Sequence, residues 1–279
     1  MPKELEPSTN EKNFILEALK QKLRLDGRNF DSFRPLELSF GHEYGHADVR
    51  LGNTRVLCRV SADVVPPFSD RPFDGIFTIT TELGPMASPA FETGRQTEQE
   101  VLLARLIEKS LRRSRAIDTE SLCIVAGQRC WHVRADVHFL NHDGGLVDAA
   151  CIAVVAALQH FRRPDVSVDG ERVTIHTLTE RVPVPLSILH VPICVTFSFF
   201  DVGDESGGPV FLVDATLQEE QLRDGEMTIT LNKFGEVCQI AKAGGLPIEA
   251  VALHQCMRKA LVKVEEITAF IAKRLKECS

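Results

Sequence analysis

The 279-residue sequence lacks the features that mark several large classes of protein. No apolar run approaches the length of a membrane span, and the first residues carry no apolar signal-peptide core. None of the eight cysteines forms a C-x-x-C pair, and no H-E-x-x-H spacing occurs. These absences argue against a membrane protein, a secreted protein and a zinc site. We therefore expect an intracellular protein with reduced thiols, and Cys151, which lies within an apolar run, should be a core residue rather than a nucleophile.

Positive charge is also in deficit. The chain has 32 lysines and arginines against 39 aspartates and glutamates, which gives a formal net charge of −7. The surface as a whole is therefore not of the kind that binds nucleic acid, and any such contact must come from a local basic patch. Apolar residues make up 44% of the chain, enough for a substantial core in one large domain or two smaller ones.

Hydrophobic spacing predicts strands that are interrupted by a few helices. A helix is expected at about 10–23, a second after the capping box of Thr97 and Glu100, a buried third from Leu146, and a last one with Pro247 in its first turn. A hairpin loop is expected at 203–208. Strands are predicted at 36–40, 47–51, 54–65, 76–80, 122–126, 130–140, 173–178, 193–200, 210–214, 226–231 and 237–240. Runs of strands followed by helices indicate an α+β fold with mixed sheets.

The centre of this pattern is a glycine turn before the buried helix. Gly144 and Gly145 permit a tight turn, and residues 146–158 are apolar on nearly every face. A helix start of this kind presents free N–H groups and a positive dipole end, which suits an anion. Asp148 lies in the first turn, where it complements the dipole and should repel a phosphate.

A basic segment precedes this turn. Six basic residues lie between 95 and 115, opposed by three glutamates, and spacings of four and three place Arg105, Lys109 and Arg112 on one helix face. Arg113 and Arg115 follow, and Arg95 precedes them. Such a face can hold an RNA backbone, but it can equally be a solvated face or pair with an adjacent subunit.

Five segments in this order resemble the RNase PH family. They lie at 25–28, 45–54, 110–118, 143–145 and 214–230, within a resemblance that covers roughly residues 10–275. Within this family, the chain resembles the RNase-PH-like ring subunits of the RNA exosome. The resemblance implies an RNase PH-like fold of β-α units like those of ribosomal protein S5 domain 2. It also implies a single domain over 1–279, made of two similar halves at about 24–165 and 166–279.

The resemblance also implies where catalytic parts should lie. Active members use a Gly-Thr-Arg-like phosphate cradle, and the matching positions here, Gly145, Leu146 and Val147, offer no side-chain donor. The positions of the family's two catalytic aspartates are Glu220 and Glu226. Two carboxylates can bind Mg²⁺, but we favour a solvated acidic turn in which Glu219, Glu220 and Asp224 face water. The expectation is therefore no catalytic residue, no metal and no cofactor.

The leading prediction is a non-catalytic, RNA-guiding ring subunit that contacts single-stranded RNA through Arg105, Lys109, Arg112 and Arg113. The resemblance implies other RNase-PH-like subunits in a hexameric hetero-ring, S1/KH-type cap subunits and hydrolytic 3'-5' nucleases as partners, no membrane, and a location in nucleus, nucleolus and cytoplasm. Two alternatives stay open. One is a phosphorolytic 3'-5' exoribonuclease whose active site is shared with a neighbouring subunit, and the other is a small-molecule kinase that uses the glycine turn.

Overall fold

A computed structural model describes residues 7–92, 94, 96–169, 172–177, 180–202 and 210–278 of the chain. The hairpin loop expected at 203–208 and Arg95 lie outside these residues. The helices are α1 (Thr9–Lys20), α2 (Glu98–Arg112), α3 (Leu146–His160), α4 (Leu217–Glu220) and α5 (Ala250–Cys278), with a 3₁₀ turn at Glu120–Leu122. The strands are β1 (Leu36–Phe40), β2 (His46–Leu51), β3 (Thr54–Val65), β4 (Ile76–Leu83), β5 (Cys123–Val125), β6 (Arg129–Asn141), β7 (Arg162–Arg163), β8 (Val166–Asp169), β9 (Arg172–Ile175), β10 (Val184–Pro185), β11 (Ile193–Phe200), β12 (Val210–Val213), β13 (Gly225–Leu231) and β14 (Val237–Ala241).

The first large sheet has the order β1-β2-β3-β6-β4, with β5 paired to β6. Strands β1 to β3 form the predicted antiparallel meander, whereas β4 runs parallel to β6. Strand β3 alternates strictly at its start, since Val56, Cys58 and Val60 are buried while Arg59 is exposed. One face of this sheet therefore packs on the core and the other faces outward.

The second large sheet has the order β12-β11-β13-β14 and is antiparallel throughout. All eight residues of its central strand β11 are buried. Helices α3 and α5 both contact this strand. Strand β11 is therefore covered on its faces, and only Thr196 and Ser198 of its eight residues are polar.

Helix α3 lies between the two sheets. Its residues from 149 to 158 are at most 3% exposed, and it contacts β2 and β3 on one side and β11 on the other. Its apolar character on nearly every face is what a helix in this position requires. One hydrophobic cluster includes side chains of both sheets, so we propose that the two predicted halves form one domain.

Two helix boundaries differ from the predictions. Helix α1 ends at Lys20 because Lys22 takes a left-handed conformation (φ 59°) and the N–H of Leu23 donates to the carbonyl of Ala18. Pro247 is not in the first turn of α5. The N–H of Leu246 donates to the carbonyl of Asp224, which keeps this segment on β13, and the helix begins at Ala250.

The capping box that starts α2 is confirmed. The N–H of Glu100 donates to Oγ1 of Thr97, and the N–H of Thr97 donates to the Glu100 carboxylate. Among the helices of the described residues, none is both long and apolar enough to cross a lipid bilayer.

Candidate functional site

The glycine turn has a conformation that only glycine adopts easily. Gly144 and Gly145 have φ values of 76° and 66°, and Gly145 is the N-cap of α3. A Cβ atom on Gly144 would lie 2.6 Å from the carbonyl oxygen of Ala215, and one on Gly145 would lie 2.6 Å from Nη2 of Arg34. The turn is therefore pressed between the segment before α4 and a buried arginine.

A carboxylate of the chain itself occupies the anion position at this helix start. The N–H of Gly145 donates to Oε1 of Glu220 at 2.9 Å. Burial raises the pKa of Glu220, while the nearby Arg223 and the Gly145 hydrogen bond act in the opposite direction. The expectation that Glu220 faces water is wrong, because α4 packs this side chain against the turn.

Arg223 lies between Glu220 and Glu226, the two glutamates that the sequence resemblance aligns with catalytic aspartates. Nη1 of Arg223 is 3.6 Å from Oε1 of Glu220, and Nη2 of Arg223 forms an ion pair with Glu226. The cation that these carboxylates contact is therefore a guanidinium from the same turn. Within the part of the chain that the structure describes, no group of three or more His, Cys, Asp or Glu side chains could hold a metal ion.

Asp148 points away from the helix start. It is fully buried, and it accepts hydrogen bonds from the N–H of Thr196 at 3.0 Å and from its Oγ1 at 2.7 Å. Burial raises the pKa of Asp148 to about 7, against the effect of these hydrogen bonds. That Asp148 repels a phosphate from the helix start stays a prediction, and its carboxylate makes its hydrogen bonds with β11. Its carboxylate joins α3 to β11, while the carboxylate at the turn is that of Glu220.

The cradle positions are otherwise occupied by packing residues. Leu146 is 5% exposed within the main core, and Val147 packs against that core. Cys151 is fully buried, and both its hydrogen bond with Cys194 and its burial raise its pKa well above that of an ordinary thiol. Its assignment to the core rather than to catalysis agrees with this environment.

A buried network of ion pairs contacts the glycine turn through Arg34. Asp214 accepts hydrogen bonds from the backbone N–H of Arg34 at 2.7 Å, from its Nη2 at 2.7 Å and from Nη1 of Arg28 at 3.0 Å. Nη2 of Arg34 also donates to the carbonyl of Gly144. This network is not predicted from the sequence, because 180 positions separate Arg34 from Asp214 and no local pattern marks a charge that becomes buried.

Glu219 belongs to the same buried region. It is 2% exposed, and its carboxylate accepts two hydrogen bonds from Arg24, at 3.0 Å and 2.6 Å. The expectation that Glu219 faces water is wrong, whereas Asp224 is exposed as expected. A bidentate arginine–carboxylate pair fixes geometry as well as charge, so this pair ties the N-terminal turn to α4.

The predicted RNA-contact residues all lie on the surface of α2 and its C-cap. Arg105, Lys109, Arg112 and Arg113 are exposed. Nη1 of Arg112 is 3.3 Å from the Glu108 carboxylate, and in the described residues the other three form no ion pair. These residues therefore form a cationic helix face on which three of the four charges are not paired within the described residues. Unpaired positive charge is needed for contact with phosphate.

Comparisons with known proteins place this architecture in a family. Residues 32–164 match domain 1 of the 3' exoribonuclease family (RNase PH), and residues 190–263 match its domain 2. The chain is 58% identical to exosome complex component rrp45 of Schizosaccharomyces pombe over 99% of the chain and 94% of that protein. It is 55% identical to the RRP45 component of Saccharomyces cerevisiae over the whole chain and 94% of that protein.

A solved structure agrees with these relatives. The fold matches a chain of the Archaeoglobus fulgidus exosome with RNA bound to the active site, with a TM-score of 0.79 and 30% identity over 93% of this chain and 97% of that one. The predicted α+β, RNase PH-like fold class is confirmed. The two domain matches, the full-length relatives and the shared fold together show that this chain belongs to the RNase PH family of 3' exoribonucleases.

Proposed function

We propose that the chain is a non-catalytic ring subunit of the RNA exosome that guides RNA towards an associated 3'-5' nuclease. One observation carries the non-catalytic part: the helix start that would receive phosphate already binds the Glu220 carboxylate. A phosphate that accepted this same N–H would meet like charge in a partly buried site, which is unfavourable. Phosphorolysis needs a bound phosphate, and here the arginine nearest to the turn pairs with the chain's own Glu220 and Glu226.

The relatives support the assembly part of the proposal, since proteins similar over the full chain are named exosome complex components. We propose other RNase-PH-like subunits in a hexameric hetero-ring, S1/KH-type cap subunits and hydrolytic 3'-5' nucleases as partners. We also propose a location in nucleus, nucleolus and cytoplasm. The sequence resemblance extends to exosome component 9, known as the polymyositis/scleroderma autoantigen, and we propose this chain as its counterpart.

The non-catalytic proposal is tested by phosphorolysis. The purified chain, alone and in its assembled ring, is incubated with single-stranded RNA, inorganic phosphate and Mg²⁺, and release of nucleoside diphosphates is measured. We expect no release above the level of a ring that carries Glu220→Gln and Glu226→Gln in this chain. Release that disappears in this double variant would overturn the proposal and support the enzyme with a shared active site.

The RNA-guiding proposal is tested by charge reversal. Arg105→Glu with Arg112→Glu should weaken binding of single-stranded RNA to the assembled ring roughly ten-fold, because two phosphate contacts become repulsive. The slope of the logarithm of affinity against the logarithm of salt concentration should become shallower by about 1.4. Each phosphate of a single strand that is no longer neutralised contributes roughly 0.7. Affinity at several salt concentrations measures both quantities.

A matched control has the same change in net charge. Lys273→Glu with Arg274→Glu alters two exposed residues near the C-terminal end of α5, a different helix from α2. This control should bind RNA as the unmodified ring does, and both rings should assemble normally. Equal weakening in both variants would indicate an effect of total charge and would remove the assignment to α2.

A further inference from the structure

A cleft of about 590 Å³ opens where the α2 face ends. The turn at 68–75, which follows β3, forms one wall, and the end of α2 with residues 115–120 forms the other. The volume is within the roughly 300–1,000 Å³ of small-molecule sites. Arg112 belongs both to the cleft and to the cationic face of α2. A single strand of RNA that lies along this face would therefore reach the cleft directly.

The cleft wall carries an exposed aromatic ring on a firmly held turn. Phe68 lines the cleft and is 57% exposed, and its carbonyl accepts a hydrogen bond from the N–H of Arg71 at 3.0 Å. The N–H of Gly75 donates to the carbonyl of Thr119 at 2.9 Å, and the N–H of Gly127 donates to that of Pro72 at 2.8 Å. A large aromatic ring that is exposed to solvent, on a turn fixed by hydrogen bonds, is suited to stack on a nucleobase.

Three arginines line the same cleft as Phe68. Arg71 and Arg112 have side chains that are 54% and 49% exposed, and each pairs with one acidic neighbour, the exposed Asp70 and the half-buried Glu108. Arg115 is exposed and, among the described residues, forms no ion pair. It closes α2 in a left-handed conformation (φ 56°), with the N–H of Ala116 donating to the carbonyl of Leu111. Glycine is preferred at this position, so helix termination does not require an arginine here.

The carboxylates of the cleft decide which ligand it suits. Glu108 is paired with Arg112, and Asp118 accepts hydrogen bonds from the N–H groups of Glu120 and Ser121. Asp74 and Glu120 also line the cleft. A free polyphosphate would meet these acids, whereas a single nucleotide of a strand brings one phosphate for the arginines and amino or hydroxyl donors for the carboxylates.

We infer that this cleft is a nucleotide subsite for single-stranded RNA, in which a base stacks on Phe68 while Arg112 and Arg115 contact the adjoining phosphate. The inference rests on the proposed RNA-guiding function and adds a residue that contacts a base, rather than only the backbone. Stacking of this kind is tolerant of sequence, because every base has a π-face.

Phe68→Leu tests the stacking contact in the assembled ring. It keeps an apolar side chain and removes the ring, so affinity for a decamer of adenosine should fall by about five-fold or more. Phe68→Tyr should restore it. Phe73→Leu is the matched control, since Phe73 is 66% exposed in the same turn but does not line the cleft. An abasic decamer should bind the unmodified and Phe68→Leu rings equally.

Arg115→Gly tests the phosphate contact without harming the fold. It should weaken RNA binding while the Tm stays equal or rises, because glycine relieves the left-handed backbone. Lys22→Gly, which makes the same change at the end of α1, should leave RNA affinity unchanged. If charge reversal on α2 weakens binding but Phe68→Leu and Arg115→Gly do not, the cleft inference fails and the proposed function stands. If none of the variants changes RNA affinity, the cleft inference and the RNA-guiding proposal both fail.

Discussion

Replacing Asp214 by alanine is expected to lower the free energy of unfolding by about 3–5 kcal/mol. Asp214 is 1% exposed and is the shared acceptor for Arg34 and Arg28, whose side chains are 6% and 15% exposed. Without the carboxylate, two largely buried guanidinium groups lose their counter-charge, and the Arg34 backbone N–H loses its acceptor. Denaturant unfolding monitored by circular dichroism measures the decrease in stability.

Two controls separate the causes of this decrease. Asp214→Asn keeps the shape and tolerates the left-handed backbone (φ 50°), but it removes the charge and replaces one acceptor oxygen by an NH2 donor. Because one acceptor oxygen remains, it should cost less than the alanine variant. Asp31→Ala removes an exposed ion pair, with 2.6 Å between Lys259 and Asp31, and should cost no more than about 1 kcal/mol. A cost for Asp214→Ala as small as that for Asp31→Ala would show that the network does not stabilise the fold.

Gly144→Ala is expected to destabilise the protein by about 3 kcal/mol or more. The left-handed backbone alone costs a non-glycine residue roughly 1–2 kcal/mol. The added Cβ would also lie 2.6–2.8 Å from three backbone atoms of residues 215–217, which cannot rotate away as a side chain could. The turn, α4 or both must shift, and the Gly145 N–H would no longer face Glu220 as it does now.

Other glycines of the chain provide graded controls for this prediction. Gly27 has a φ of 74° but open space around its Cβ position, so Gly27→Ala should cost about 1 kcal/mol from the backbone alone. Gly84 has neither restriction, and Gly84→Ala should change stability by less than about 0.5 kcal/mol. Thermal and denaturant unfolding of the three variants should give this order. A Gly144→Ala variant no less stable than Gly27→Ala would contradict the close packing of the turn.

These two predictions concern one unit of structure. Arg34 joins Asp214 to the carbonyl of Gly144, and the same turn presents the N–H of Gly145 to Glu220. The glycine turn that Arg34 and Asp214 hold in place therefore also positions the N–H that the Glu220 carboxylate occupies. In this chain, the hydrogen bond between Glu220 and Gly145 connects α4 to the start of α3.

Much of this architecture follows from local patterns in the chain. The strands 36–40, 54–65 and 193–200 match their predicted bounds, because alternation and β-branched content are local properties. The buried helix that begins at Leu146 is recognisable because few other positions tolerate an apolar run on every face. Strand β8 and helix α4 were not predicted, since each is only four residues long and carries almost no periodic signal.

The position and packing of the glycine turn can be read from the order of residues along the chain, and so can the absence of side-chain donors at Leu146 and Val147. Which carboxylate lies at the turn cannot. Asp148 is two residues from Leu146 yet faces β11, while Glu220, 75 positions after Gly145, accepts its N–H. Burial and charge pairing depend on segments that folding brings together. Those contacts, rather than local spacing, place Glu220 at the glycine turn and Asp148 against β11.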